Sequence, residues 1–163
     1  MTIMVLLGGI FFFFLLQQVL AMNEEERQLY MQAHEEQLLT NMIKYIGDSN
    51  STLRDQTNYR LFMELLSANH WKADSLRPLT MQLIDDEHLF LHIQDREATE
   101  AVFTRSFSAL WLTALLHADA QLRFLQADDL TEIFQQVARY FTRERDVRGF
   151  INDEQGWAHS MAH

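Results

Sequence analysis

This sequence reads as all-helical for three reasons. Apolar residues recur with the 3–4 residue period of an amphipathic helix through most of the chain after residue 22. Glycine and proline are scarce, five and one in 163 residues. Strand signals are poor, because β-branched residues are scattered and no hairpin dipeptide sits between alternating runs. The expected architecture is a set of stacked helical hairpins, as an α-solenoid or an orthogonal helical bundle, preceded by an apolar N-terminal leader.

The leader comes first. All charged residues, 13 basic and 23 acidic, lie after Ala21. Ile3 to Leu16 is an unbroken uncharged run that includes Phe11-Phe12-Phe13-Phe14, long enough for the apolar stretch of a secretory signal. Val19-Leu20-Ala21 offers small residues for a cut after Ala21. No Lys or Arg precedes the run, and a membrane span is reached only by including Gln17 and Gln18. Three readings stay open: a cleaved signal, a retained anchor that touches the membrane through residues 3–21, or a true start at Met22. The first two place the protein outside the cytoplasm, in the periplasm or on the membrane. The third places it in the cytoplasm. The division expected is 1–21 as signal or anchor and 22–163 as a helical domain.

Within that domain, residues 24–46 predict the first helix, with Leu29, Leu38, Leu39, Met42, Ile43 and Ile46 on one face and Gly47 as a C′ glycine. The stretch Asp48 to Thr52 is rich in capping residues and opens a second helix to about Asn69. Asp74 or Ser75 caps a third, with Pro78 in its first turn, running to about Leu91. The fourth, about Thr99 to His117, is the most apolar. The fifth starts near Asp128 and carries Leu130, Ile133, Phe134, Val137, Tyr140 and Phe141. After a loop around Gly149 and Gly156, a sixth helix is expected to start at Trp157. It has room for about two turns only, so the chain reads as a domain cut short at its C-terminus.

Composition removes several functions. A net charge of −10 argues against nucleic-acid binding through phosphates. The lack of cysteine removes disulfides, iron–sulfur clusters and thiol catalysis. There is no Gly-x-Ser-x-Gly elbow and no glycine-rich phosphate loop.

Five runs carry a resemblance. They are Leu53-Arg54-Asp55, Asp86-Glu87-His88-Leu89-Phe90, the Val102 to Leu110 run Val-Phe-Thr-Arg-Ser-Phe-Ser-Ala-Leu, Asp146-Val147-Arg148-Gly149-Phe150, and Gly156-Trp157-Ala158-His159 with Ala162-His163. In order and spacing they resemble the bacterial family catalogued as domain of unknown function 2785, over about residues 40–163. The resemblance implies an all-helical protein of no assigned activity, with further helices after the Ala-His pair.

Three groups could carry chemistry. His159 and His163, spaced i,i+4, would share one side of a helix and make half of a metal site. His88, with His92 four residues on and Asp86 and Glu87 beside it, could complete a site for zinc or another divalent metal. Ser160 stands where a zincin protease needs Glu. Arg105 falls on a helix covered on most faces, so its guanidinium needs an anion. That anion is a carboxylate, with Asp55, Asp86 and Asp146 as candidates, or a small anionic ligand. Asp146, Arg148 and Trp157 form the third group. Trp157 either stacks on a ligand or, preferably, plugs the space between two helices. The function expected is a helical interaction or scaffold domain without cofactor, binding a protein partner. The alternative is a metal-dependent hydrolase or metal-binding protein that uses the His cluster and an anion-binding Arg105.

Overall fold

The computed structural model describes residues 2–95 and 97–160, with side chains from Gly8 onward. The molecule is mainly helical, as expected. Helix α1 spans Thr2–Ala21 and α2 Glu24–Lys44. Asn23 caps α2: its side chain accepts from the Glu26 N–H, and Glu26 accepts from the Asn23 N–H. A π-helical segment, Thr52–Tyr59, then runs straight into α3, Arg60–Ser67. Helix α4 is Ala73–Leu83, α5 Ala101–Leu122 and α6 Ala127–Arg143. A small antiparallel hairpin follows, β1 Phe150–Asn152 paired with β2 Gly156–Trp157.

The main core gathers α1 to α5. Trp111 of α5 is fully buried and stacks on Phe62 of α3, with ring centroids 3.8 Å apart. Around them lie Leu16 of α1, Leu38 and Met42 of α2, and Leu76 and Leu83 of α4. A second cluster joins Ile84, Leu89 and Phe90 to Leu112 of α5 and to Ile133 and Tyr140 of α6.

Several elements depart from the expectations. The third helix stops at Leu83, not Leu91, because the Asp85 carboxylate accepts from the Glu87 N–H and lies 2.7 Å from the His88 Nδ1. A side chain that binds its own local backbone competes with the helix ladder. That helix also starts earlier than Asp74, so Pro78 falls in its second turn. Its N-terminus is held by Glu35 of α2, which accepts from the Lys72 N–H and from the ammonium group. Helix α6 is capped by Gln126 together with Asp129, not by Asp128.

The sixth helix at Trp157 is absent, and the hairpin replaces it. Asn152 explains the change: its side chain accepts from the N–H groups of Glu154 and Gln155 and closes a turn. Gly156 then takes φ +69, a conformation open to glycine.

The first helix ends at Lys44 with Tyr45 as its C-cap, so Gly47 is not its C′ residue; glycine is needed at 47 for a reason of space. A Cβ there would lie 2.5 Å from Thr104 Cα and 2.6 Å from Thr104 N on α5. Both are backbone atoms and cannot turn aside. Gly47→Ala should therefore destabilise by about 1–3 kcal/mol. Urea unfolding that shows an unchanged midpoint would contradict this close contact.

Candidate functional site

Arg105 is buried, as its helix predicts, and its partner is Glu144. Arg105 Nε donates to Glu144 Oε2 at 2.6 Å and its NH2 donates to Oε1 at 3.2 Å. The third nitrogen, NH1, donates to the Leu91 carbonyl at 2.9 Å. Glu144 also accepts from the N–H groups of Arg145 and Asp146, at 2.9 and 2.8 Å. The Tyr140 hydroxyl lies 3.1 Å from Glu144 Oε2 and 2.9 Å from the Ser160 carbonyl. Burial, with the Glu144 charge and hydrogen bond, pushes this phenol above its ordinary range.

The expected partners Asp55, Asp86 and Asp146 are therefore corrected to Glu144. Asp86 is exposed in the turns after α4. Asp55 lies in the π-helical segment, 3.3 Å from Arg54. Asp146 pairs with Arg148 at 2.6 Å, and Arg148 NH2 also donates to the Thr99 carbonyl. Glu144 reads as part of a solvated Arg-Glu-Arg run, which is why sequence reasoning passed over it. One signal was present: a carboxylate at a helix C-terminus sits against the dipole and calls for a cation from elsewhere.

Arg105, Glu144, Asp146 and Arg148 line one cavity of about 270 Å³. Its charged lining also holds Asp95, Glu97 and Arg145. Among the described residues, four carboxylates and three guanidinium groups line it.

Trp157 does not plug a helix interface. It is 51% exposed on β2, edge-on to Phe150 and 4.3 Å from the His159 ring centroid. A residue in a surface hairpin has no helix pair to fill. The His pairing is corrected likewise. His159 follows β2 with φ 48, and its N–H donates to the Arg148 carbonyl, so it lies on no helical face. His163 lies outside the described residues. His88 is held by Asp85, and His92 is exposed and 3.1 Å from Asp95. Among the described residues, no three His or carboxylate groups are placed to hold a metal ion.

The residue that reasoning missed most is Arg54. It is fully buried between the rings of Phe103 and Phe107, 4.2 and 4.7 Å from their centroids. Its NH1 donates to the Asp48 carbonyl and its NH2 to the Gln155 carbonyl, both at 2.7 Å. Burial lowers the guanidinium pKa, and the Asp55 charge works against that shift.

With this geometry in view, the family comparison supports the later part of the resemblance. Residues 89–163 match the family model described as Protein of unknown function (DUF2785). Over those residues the chain is similar to DUF2785, and the match begins at Leu89, later than the start near residue 40 that the resemblance implied. No curated protein and no solved structure matches the chain. The DUF2785 segment contains Arg105, Glu144, Asp146, Arg148 and Trp157, and thus the whole cavity-lining ion network. Arg54 lies before the segment and reaches into it at Phe103, Phe107 and Gln155.

Arg105→Ala should cost about 3–5 kcal/mol, because it strands the Glu144 carboxylate in the interior. A denaturant melt that shifts by less than about 1 kcal/mol would refute the buried pair. Acid should act through Asp146. Burial opposes its ionisation, but the side-chain and backbone hydrogen bonds from Arg148 outweigh burial and hold the carboxyl below the usual range. A depressed folded pKa gives stability that is complete above the unfolded value of about 3.9 and is lost as pH falls through the folded one. Urea melts of Asp146→Asn and wild type should therefore converge as the pH is lowered below about 4. A gap that stays constant with pH would count against it.

Proposed function

We propose that this is a non-catalytic interaction domain that binds an amphipathic helix of a partner protein along α6. The observation that carries the reading is the outer flank of α6. Leu130, Phe134, Val137 and Phe141 recur at intervals of four, three and four residues. Phe134 and Phe141 are exposed, and Leu130 and Val137 are half-buried. The stripe is three turns long, about 16 Å, which suits a helix of similar length. Val137 packs on the same core cluster as Ala109 and Leu116 of α5, so the apolar surface continues towards small side chains. Exposed apolar surface of this kind marks interaction sites in soluble proteins.

The charged groups support the same reading. Arg54, Arg77, Arg105 and Arg148 each hold an internal carboxylate. A small anionic ligand at any of these four guanidinium groups would have to displace its carboxylate.

The test is a photo-crosslinking residue at position 134, in cells that make the protein, with position 135 as control. Position 134 should give an adduct of one discrete mass. Excess purified wild-type domain should compete it away, and a Phe134→Asp, Phe141→Asp variant should not. Equal adducts at 134 and 135, or equal competition by the variant, would overturn the proposal.

A further inference from the structure

From Gly8 onward, α1 has two faces of different use. Phe12, Leu16 and Val19 are buried in the main core, and Phe12 stacks on Tyr45 of the α2 C-terminus at 4.8 Å. Gln17 donates to Thr57 of the π-helical segment at 3.2 Å. At the far end, the Arg27 guanidinium donates to the Leu20 carbonyl at 3.0 Å. The helix is therefore fastened to the body from Phe12 to Leu20.

The opposite face begins apolar and ends polar. Ile10, Phe11 and Phe14 are 51%, 73% and 61% exposed. Gln18 and Ala21 continue the same side towards the C-terminal end. No charged residue occurs anywhere in residues 1–21.

We propose that α1 lies in the surface of a neutral lipid bilayer, with Phe12, Leu16 and Val19 in the protein core and Ile10, Phe11 and Phe14 in lipid. This reading stands apart from the α6 surface and needs no spanning segment. Among the described residues, no helix is long and apolar enough to cross a membrane. In an ordinary interfacial helix the far face is polar and meets water. Here the protein body takes that position.

Lipid fits this face better than a second copy does. Among the described side chains of α1, Ile10, Phe11 and Phe14 together expose roughly 350 Å², less than the about 800 Å² that a stable dimer needs from each partner. None of the three can hydrogen-bond, so nothing in the patch would orient a protein partner. A bilayer asks only for apolar burial. Charge narrows the lipid further. The body carries −10 and residues 1–21 supply no Lys or Arg, so anionic headgroups repel the protein.

Flotation of the full chain with phosphatidylcholine vesicles tests this. Wild type should float, and Phe11→Ser, Phe14→Ser should reduce the floated fraction by about tenfold or more. Both side chains point away from the core, so the variant's melting temperature should match wild type. Adding phosphatidylglycerol should weaken wild-type binding at low salt, and high salt should restore it. The proposal fails if wild type stays unfloated, or if the folded variant floats equally. It also fails if wild type is a dimer that the same substitutions dissolve without any vesicle binding. A mature chain that starts at Met22 in cells, read by mass spectrometry, would overturn it as well.

Discussion

A guanidinium with no access to water governs the arrangement of this molecule. Arg54 must find every compensating contact inside the protein, and it takes them from four separate stretches of chain. The Asp48 carbonyl comes from the turn after α2, and the Gln155 carbonyl from the hairpin. The aromatic faces of Phe103 and Phe107 come from α5, and the Asp55 carboxylate from the next residue. The attraction of a cation to ring faces and carbonyl dipoles replaces hydration only when all of them are in place. The π-helical winding belongs to the same requirement. It turns Arg54, Thr57 and Asn58 inwards together, and each donates at least one hydrogen bond, while Arg54 Nε and Asn58 Oδ1 stay buried without one. Thr57 donates to the Thr52 carbonyl, and Asn58 donates to the Met42 carbonyl of α2. A polar seam thus runs through the middle of an otherwise apolar core.

The Arg105–Glu144 pair works at the same end of α5, between Phe103 and Phe107 in sequence, and organises the chain beyond α6. Glu144 receives Arg105 on one side and two backbone N–H groups on the other, so the chain leaves the helix in an extended direction. That exit leads into the Asp146–Arg148 pair and then the hairpin. The Ser160 hydroxyl donates back to the Asp146 carbonyl, and Tyr140 reaches the Ser160 carbonyl. Buried ion pairs contribute little net stability against apolar replacements. Their force lies in what happens when one member is missing, which ties the positions of two helices and a hairpin to a single contact.

The sequence conveyed periodicity well and local competition poorly. The apolar spacing in α2, α5 and α6 placed those helices to within a few residues, because a core-facing stripe must follow the helix period. The same spacing over-extended α4, since Leu89 continues the pattern while Asp85 has already claimed the backbone. It also produced a false helix at Trp157, where two apolar residues at i,i+4 outweighed the turn chemistry of Asn152 and Gly156. At the site, the need of Arg105 for a carboxylate was legible from the apolar stripes around it. The identity of that carboxylate was not, because Glu144 stands 39 residues away among other charges and pairing across a fold leaves no local mark. Arg54 was visible only as a member of a run. Nothing in its immediate neighbours announces a position between two rings of a distant helix.

The contact between Gly47 and α5 has an evolutionary side. The atoms nearest the missing Cβ include the backbone N and Cα of Thr104, so no change of side chain at position 104 can make room. Compensating substitution, the usual route by which packed pairs drift, is closed here. Position 47 lies before the DUF2785 segment and position 104 within it. Glycine at 47 is therefore required whatever side chain stands at 104, and the close approach of the two backbones sets where α5 meets the end of α2.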